Sequence, residues 1–531
     1  MTLFGVSAVG YRNEGGFNGP GQPANQWAVW ERTGLVAAPV PGCDLWRDPA
    51  EALDRAASCG AEAFVLGIEW ARVEPRPEQP DPAALEGYAR ILGMCAERGM
   101  LPVVVLADVA HPEWLGEEFW LTPGSPDRFA DHVARVCDEL GGLCRHWVTV
   151  RQPNLVALAG WLGGRHPPRR YGAAADAWAV LDNLLAAHVL AYDAIHGGAG
   201  GRGAGGRTGL GRHPDPADQG GVRGEAGAPV VMLGTRASSV YDWARLPVDL
   251  LLARGAGVDL SDAAALGGWT VERRRLHDAA VPPRDLAELA LRRAAAVFSP
   301  AGPSARRGLR RDRDSDRDCG MSPRRALDVV GARPSAAAPL DALYVVWRRP
   351  SAEWGVVPPG VTRLVAGVRS PRRGSPAEPG ALGTWLRDER SFAPDLPLWV
   401  EDGFGTPRAP DTKDVTPGSH VRGAERPDRP RYLRRAVAEV CPVGGPGDRG
   451  DQRVHAEPRG SADGVPPVAA YVYHSLAGGG EPTTPDADFG LFCVSQKAGS
   501  TATSWCDTDG CGAPSADAFR RLVEECCAGE R

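Results

Sequence analysis

The strongest constraint on the fold of this chain is the regular recurrence of short apolar runs along its length. Eight such runs are rich in Val, Leu, Phe and Tyr and are nearly apolar throughout. Runs of this kind are typical of strands that are buried on both faces of a parallel sheet. The runs are 3–9 (LFGVSAV), 62–70 (EAFVLGIEW), 101–108 (LPVVVLAD), 146–152 (HWVTVRQ), 229–236 (PVVMLGTR), 340–347 (LDALYVVW), 396–402 (LPLWVED) and 468–475 (VAAYVYHS).

The segments between these runs have the periodicity of amphipathic helices. In residues 48–60, 83–100, 128–140 and 175–197, apolar residues recur every three or four positions, which gives a helix one buried face. A strand and a helix that alternate eight times are the signature of a (β/α)8 barrel. The sequence therefore predicts an α/β fold of the TIM-barrel type, with residues 1–531 forming a single domain.

Three segments interrupt the alternation. Residues 197–227 are rich in Gly, residues 302–338 carry mixed Arg and Asp runs, and residues 442–467 are rich in Gly and Pro. None has enough apolar residues to bury a surface of its own, so we predict long flexible loop insertions. The acids and bases of residues 302–338 nearly balance and no aromatic residues interleave with them, which favours a solvated loop over a nucleic-acid-binding segment.

The charge of the chain gives no reason to expect nucleic acid or a membrane as a partner. The net charge is −6 and the isoelectric point is about 6.0, so nothing attracts nucleic acid or an anionic membrane electrostatically. The chain has no basic segment followed by an apolar core and a cleavage site, and no apolar run reaches the roughly 18 to 20 residues that span a bilayer. We expect a cytoplasmic protein with a small-molecule ligand.

Because Lys413 and Lys497 are the only lysines, we also expect that the chain comes from an organism with a GC-rich genome, plausibly an actinobacterium.

Cysteine spacing does not predict a metal centre. Five cysteines lie late in the chain, but they lack the CxxC pairs of zinc sites. We therefore expect no metal, although zinc ligation, free thiols and a disulfide all stay open for this group. Its members are Cys493, Cys506, Cys511, Cys526 and Cys527.

Polar residues at the ends of the predicted strands carry a family resemblance. The stretches resemble glycoside hydrolase family 1, the retaining β-glycosidases, in order from the first strand onwards, and they imply the barrel fold and no cofactor. They are YRNEGG (11–16), IEWARVEP (68–75), HPEWL (111–115), TVRQP (149–153), NLLAAHVLAYDAI (183–195), WVEDGFG (399–405), YVYHSL (471–476) and FGLFCV (489–494).

The resemblance implies a catalytic pair of which only one carboxylate is present. Family members use a glutamate nucleophile after the seventh strand, which corresponds to Glu401, and a glutamate acid/base after the fourth strand, which corresponds to Gln152. A retaining enzyme holds its two carboxyl groups about 5 to 5.5 Å apart, and one of them protonates the leaving oxygen. An amide cannot donate that proton at neutral pH. Only aglycones that depart readily could then leave, as is understood for plant myrosinases.

Other positions that hold sugar in the family are also replaced. By motif, the sugar-binding Gln is Arg12, the His-Trp pair after the third strand is Asp108-Val109, and the Asn before the acid/base is Arg151. The Arg of the second strand that contacts the nucleophile in the family is Val65. After the sixth strand, the family's Asn and Tyr become Val346 and Arg348. After the eighth strand, the family's Trp becomes His474, and in the run that follows Glu481 alone keeps its acid.

Two interpretations of these charges stay open. If Arg151 and Arg348 face the barrel mouth near Glu401, they keep that carboxylate ionised and favour an anionic ligand group. Alternatively, the guanidinium groups pair with Glu401, Asp108 or Glu69 in a buried network, because buried arginine is tolerated mainly when it is paired.

Three further candidates for ligand contact each have a structural alternative. Glu69 is a site acid or a structural residue of the second strand. His474 is a general base or a hydrogen-bonded core residue. Asp402, which follows Glu401, contacts the ligand or braces the turn.

These residues lead to two classes of function. In the first, the chain is an enzyme that acts through Glu401 on a modified or anionic ligand, such as a secondary metabolite, with Arg151 and Arg348 orienting it and Gln152 positioning substrate or water. Transglycosylation, cyclisation and hydrolysis are all compatible with this class. In the second, the barrel survives as a ligand-binding or scaffold pseudoglycosidase. Myrosinase-like hydrolysis is a further alternative. The sequence does not indicate the oligomeric state.

Overall fold

The computed structural model describes most of the chain, with gaps in the second half. The described residues are 2–36, 43–201, 228–236, 241–258, 339–348, 382–383, 386, 393, 396–403, 406–407, 429–440, 468–477, 487–488, 490–496, 503–507, 509 and 513–529.

A closed barrel of eight parallel strands forms the centre of the molecule. Its strands are hydrogen-bonded in the order β1-β2-β3-β4-β5-β6-β7-β9, and β9 closes the barrel by pairing with β1. All eight predicted strands are confirmed, and the fold is the predicted TIM barrel. The barrel strands are β1 (Leu3–Ala8), β2 (Ala63–Gly67), β3 (Leu101–Ala107), β4 (His146–Val150), β5 (Val230–Arg236), β6 (Ala342–Arg348), β7 (Leu398–Gly403) and β9 (Ala470–His474).

Helices surround the barrel. The predicted helices in residues 48–60, 83–100, 128–140 and 175–197 are present as α3, α5, α6 and α8. The described helices are α1 (Tyr11–Glu14), α2 (Ala28–Arg32), α3 (Pro49–Ser58), α4 (Trp70–Val73), α5 (Pro82–Glu97), α6 (Ser125–Leu140), α7 (Pro153–Trp161), α8 (Ala174–Gly201), α9 (Tyr241–Gly255), α10 (Arg429–Val440) and α11 (Ser515–Gly529), with 3-10 turns at Glu113–Leu115 and Phe119–Leu121.

Short strands complete the described secondary structure outside the barrel. They form two antiparallel pairs, β8 with β10 and β11 with β12. Their bounds are β8 (Thr406–Pro407), β10 (Ala487–Asp488), β11 (Cys493–Gln496) and β12 (Thr503–Cys506).

Local sequence explains where two of the helices begin. Asp48 precedes α3 and accepts a hydrogen bond from the Glu51 backbone nitrogen at 3.3 Å. Asp81 precedes α5 and accepts one from the Ala83 nitrogen at 3.0 Å. In both helices a proline follows directly, where its missing N–H costs nothing. Side-chain caps of this kind contribute about 1 kcal/mol each.

The strands bury both of their faces, which separates two apolar cores. One core fills the barrel and includes Val65, Val103 and Val148. A larger core lies between the strands and the helices and includes Phe64, Leu66 and much of the inner helix surfaces. Because alternate residues of a strand point to opposite faces, a residue's position in its strand decides which core it joins.

Parts of the chain between the strands fall outside the description. The predicted insertions 302–338 and 442–467 lie outside the described residues, as do residues 202–227 of the third. The beginning of that third segment, residues 197–201, belongs to the end of α8, so the predicted loop boundary was wrong there. Its Gly and Ala residues continue a helix that α6 and α7 already support by packing. Within the described residues, no helix is both long and apolar enough to cross a bilayer.

A glycine in β5 lets the strand approach the end of β4. A Cβ atom at Gly234 would lie 2.1 Å from the backbone oxygen of Arg151, a separation that no side chain tolerates. The small residue therefore sets the backbone position of Arg151.

We expect Gly234→Ala to destabilise the fold by about 1–3 kcal/mol, because the barrel backbone would have to shift. Gly93→Ala in α5 is the matched control, since a Cβ there meets no described atom within 4 Å and alanine favours a helix by about 0.5–1 kcal/mol over glycine. Urea denaturation measures both free energies of unfolding. Equal effects in the two variants would contradict the close approach.

Candidate functional site

The candidate site lies at the carboxyl ends of the barrel strands, where Glu401 occupies β7. In the strand register, Glu401 lies beside Val346 of β6 and Val472 of β9. Both neighbours belong to the core inside the barrel, so the Glu401 side chain also points inward. This rim is the face at which barrel enzymes hold their ligands.

Glu401 is fully enclosed and hydrogen-bonded on both oxygens. Its carboxylate has 0% exposure and forms a two-pronged pair with Arg151, whose Nε donates to Oε2 at 2.8 Å and whose Nη2 donates to Oε1. The Tyr344 hydroxyl donates to Oε2 at 2.8 Å, and the Ser7 hydroxyl donates to Oε1 at 3.3 Å. His474 Nδ1 lies 3.2 Å from Oε1 and 2.8 Å from the Ser7 oxygen. The carboxylate is therefore held by its neighbours rather than open to a ligand.

Arg151 is neutralised by two carboxylates. Besides Glu401, its Nη1 lies 3.1 Å from Asp108 Oδ1. Burial acts to lower the pKa of the guanidinium, but the charges of Glu401 and Asp108 outweigh it and hold that pKa well above its usual value. Buried arginine is stable when it is paired in this way. Of the two interpretations of Arg151, the contacts therefore favour pairing within a buried charge network over contact with an anionic ligand group.

Gln152 is also held in place by protein groups. Its Nε2 donates to Asp108 Oδ1 at 2.8 Å, and its Oε1 accepts from Arg236 Nη1 at 2.9 Å. Asn154 fixes Arg236 by exchanging hydrogen bonds with its backbone nitrogen and oxygen at 3.0 and 2.8 Å. The amide therefore links β3, β4 and β5 at the rim.

Two predicted ligand contacts lie outside this cluster. Arg12 donates from Nε to the Tyr11 hydroxyl at 3.1 Å and pairs with Glu31 at 3.5 Å. Asp402 accepts hydrogen bonds from the hydroxyls of Tyr432 and Tyr471 at 2.6 and 2.7 Å. Because side chains alternate along β7, Asp402 points away from the barrel interior when Glu401 points into it. Asp402 therefore braces β7 against β9 and α10, the structural alternative.

Arg348 and Glu481 cannot be assigned to the cluster. The backbone of Arg348 ends β6 opposite Gly403, but its side chain lies outside the described residues. Glu481 lies wholly outside them. Ligand contacts by these two residues stay predictions.

Sequence reasoning missed Tyr344, Ser7 and Arg236. Arg236 ends β5 in the same way that Arg151 follows β4, so the rule of polar residues at strand ends could have found it. Ser7 and Tyr344 lie within apolar runs and carry no such signal. Their inward positions follow only from the register of the closed barrel.

Glu69 is the buried acid at the rim that lacks a partner. It retains 6% of its surface exposure, and within the part of the chain that the structure describes its carboxyl forms no hydrogen bond or ion pair. The neighbouring Glu14 is satisfied, since it pairs with Arg72 and accepts from the Tyr88 hydroxyl at 2.8 Å. Burial first, and then the Glu14 and Asp108 carboxylates, raise the pKa of Glu69 well above its usual range, whereas Arg72 opposes the shift.

Among the described residues, no group of three or more His, Cys, Asp or Glu side chains is arranged to hold a metal ion. Cys506 forms no disulfide there. The side chain of Cys493 and the whole of Cys511 lie outside the description. The absence of a metal stays a prediction.

The fold and the cluster define a (β/α)8-barrel protein with a charged network at its carboxyl rim. Residues 2–211, less than half of the chain, match the family described as glycosyl hydrolase family 1. The resemblance seen in the motifs is thus supported over these residues. The family correspondences after residue 211, including that of Glu401, stay predictions.

Two curated relatives each match about a third of the chain. The chain is 28% identical over 196 residues to 6-phospho-beta-galactosidase 1 of Streptococcus pneumoniae, across 36% of this chain and 42% of that protein. It is 26% identical over 174 residues to cyanidin 3-O-glucoside 7-O-glucosyltransferase (acyl-glucose) of Delphinium grandiflorum, across 32% of this chain and 34% of that protein. The match thus spans less than half the length of each relative.

Solved structures resemble the whole chain in fold. The family 1 β-glucosidase from Thermotoga maritima matches with a TM-score of 0.61 and 14% identity, covering 99% of this chain and 97% of that one. The AHE enzyme from Alicyclobacillus herbarius matches with a TM-score of 0.58 and 15% identity, covering 99% and 98%. At these identities the likeness establishes the barrel architecture alone.

We expect Arg151→Leu to cost about 3–5 kcal/mol of stability, because it leaves the Glu401 charge buried and unpaired. Adding Glu401→Gln should recover much of that loss, since the neutral amide no longer needs a cation. Urea denaturation of both variants measures the difference. A double variant no more stable than Arg151→Leu alone would contradict the ion pair as the stabilising contact.

We expect Glu69→Gln to change how stability depends on pH. A carboxyl whose pKa is raised in the folded state stabilises the protein below its ordinary pKa, and that stability is lost as the pH rises through the raised value. Relative to the wild type, Glu69→Gln should therefore gain stability as the pH increases above about 4.5, by about 1.4 kcal/mol for each unit of the shift. Denaturation from pH 4 to 9 measures this, with the exposed Glu86→Gln as control. Parallel curves for the wild type and Glu69→Gln would show that Glu69 is not perturbed.

Proposed function

We propose that this chain is a divergent glycosyl hydrolase family 1 protein that binds a small-molecule ligand at its barrel rim without the double displacement of retaining glycosidases. The observation that carries this proposal is the complete enclosure of Glu401, which has 0% exposure and donors on both oxygens. The alternative of an enzyme that acts through Glu401 requires that carboxylate to reach a substrate carbon.

The hydrogen bonding of Glu401 argues against nucleophilic attack. An attacking carboxylate needs an oxygen with a free lone pair that faces the anomeric carbon. Here Oε2 accepts from Arg151 and Tyr344, each at 2.8 Å, and Oε1 accepts from Arg151 and Ser7. Two of these contacts come from a guanidinium, whose charge stabilises the resting carboxylate and lowers its nucleophilicity.

Separating Glu401 from Arg151 would require a large free energy. Withdrawing Arg151 leaves a buried charge unpaired, at a cost of about 3–5 kcal/mol. Because each 1.36 kcal/mol is a factor of ten, the open form would be populated on the order of a hundredth to a thousandth as often, or less. An enzyme in which Glu401 has to separate from Arg151 before it reacts would meet this cost in every turnover.

Gln152, at the position of the family's acid/base residue, also argues against glycosidase catalysis. The Gln152 amide is tied between Asp108 and Arg236 at 2.8 and 2.9 Å, and it cannot protonate a leaving oxygen at neutral pH. Both halves of the family's chemistry are thus unsupported in this chain.

The class of ligand follows from similarity. Two of the relatives carry the names of a phosphorylated-sugar glycosidase and of a glucosyltransferase. A carbohydrate or glycoside is therefore the ligand class we propose. Both names also fit the enzyme alternative, so activity has to be tested directly.

The proposal predicts no glycosyl-enzyme chemistry. Incubation with activated aryl glycosides should give neither a burst nor turnover, with or without azide, which can replace a missing base. A family 1 β-glucosidase serves as the positive control. Azide-stimulated turnover that Glu401→Gln abolishes would overturn the proposal and establish the enzyme, including its myrosinase-like form.

A further inference from the structure

The charges at the barrel rim are not equally satisfied. Glu401 is paired with Arg151, and Glu14 is paired with Arg72 and hydrogen-bonded to Tyr88. The Glu69 carboxyl has no hydrogen bond or ion pair among the described residues. Of these three acids, Glu69 is therefore the one whose carboxyl has no hydrogen-bond or ion-pair partner among the described residues.

Asp108 has spare capacity on one oxygen. Its Oδ1 receives both Gln152 Nε2 at 2.8 Å and Arg151 Nη1 at 3.1 Å. Within the described part of the chain, Oδ2 has no hydrogen-bond partner. A carboxylate oxygen can accept two hydrogen bonds, so Asp108 can still take a donor.

The two acids follow neighbouring strands and lie against the same turn. Glu69 follows β2 and Asp108 follows β3. A Cβ at Gly67 would be 3.6 Å from Glu69 Oε1 and 3.5 Å from the backbone nitrogen of Gly10, and a Cβ at Gly10 would be 3.8 Å from Asp108 Oδ2. Both carboxyl groups therefore lie near the end of β1.

Both carboxyl groups retain access to a ligand. Glu69 keeps 6% of its surface and the Asp108 side chain keeps 10%. Neither Glu69 oxygen nor Asp108 Oδ2 belongs to the fully enclosed polar atoms that lack a partner. The unsatisfied oxygens therefore retain some exposed surface.

We propose that Glu69 and Asp108 form a subsite for a protonated amine of the ligand, with one N–H donated to the Glu69 carboxylate and another to Asp108 Oδ2. This inference rests on the proposed function, in which the rim binds a small carbohydrate-like molecule. An ammonium group has three donors and a positive charge, so it supplies what both acids lack. An anionic group would instead meet two carboxyl groups and an arginine that is already neutralised.

The environment of Glu69 makes amine binding dependent on pH. The groups that face it are the Glu14, Asp108, Arg72 and Tyr88 side chains. Burial and the two acids raise the pKa of Glu69, so the unliganded carboxyl holds a proton at pH values where an isolated one is ionised. Binding of an ammonium ionises Glu69 and releases that proton.

The test is calorimetric titration of amino sugars with the amine at carbon 2, 3 or 6, against their N-acetyl forms, which keep the skeleton and lose the charge. In titrations from pH 5 to 7, where the amine is protonated, at least one amino sugar should bind about tenfold or more tightly than its N-acetyl form, as a charged hydrogen bond would give. Its binding heat should vary with the ionisation enthalpy of the buffer, because a proton is released.

Single-residue variants test which side chains cause the preference for the amine. Glu69→Gln should remove the preference for the amine and the proton release, and Asp108→Asn should weaken the preference. The exposed Glu86→Gln should leave both unchanged. An amine preference that persists in Glu69→Gln would overturn the subsite.

The wild-type protein alone can also overturn the inference. If neutral sugars bind as tightly as the amines, the subsite is wrong while the proposed binding function stands. If neither form binds, the subsite is wrong as well. Failure of the proposed function has a different signature, which is aryl glycoside turnover dependent on Glu401.

Discussion

The buried pair of Glu401 and Arg151 is the interaction on which the rest of the site depends. A carboxylate with 0% exposure inside a barrel would be intolerable without a cation, and the guanidinium binds both of its oxygens. In the family resemblance, an arginine of the second strand contacts this carboxylate, but that position is Val65 here. The charge is supplied instead from the end of β4, next to Gln152. The cation that stabilises Glu401 thus occupies the position where the family has an asparagine.

This rearrangement determines what remains for a ligand. Arg151 is paired with Glu401 and Asp108, and Gln152 is hydrogen-bonded to Asp108 and Arg236. Among the rim residues that the structure describes, Glu69 and one oxygen of Asp108 have unfilled hydrogen-bonding capacity, and both are acids. The described part of the rim therefore offers unsatisfied acids and no unpaired arginine, which is the physical basis for proposing an amine as the ligand group.

Much of the fold could be predicted because hydrophobic periodicity is a local property. All eight strands and the four helices that the patterns predict are present, and the boundary error at residues 197–201 occurred where Gly and Ala resemble a loop in composition. The site was only partly predictable. Glu401, Arg151, Asp108, Gln152 and His474 come together because parallel strands end at one rim. Arg12 and Asp402 do not join them, since a short helix directs one to Glu31 and strand alternation directs the other outward.

The sequence by itself determined the barrel and the residue types at the strand ends, and through the family resemblance it predicts the loss of the second catalytic acid. Tertiary structure decided which of those residues pair and which stay unsatisfied. The reason is that periodicity fixes the face on which a side chain lies, whereas pairing depends on distances across a closed barrel. Arg151 and Glu401 are 250 positions apart in the chain, and Ser7 and His474 are 467 apart. Only barrel closure brings such residues within hydrogen-bonding distance.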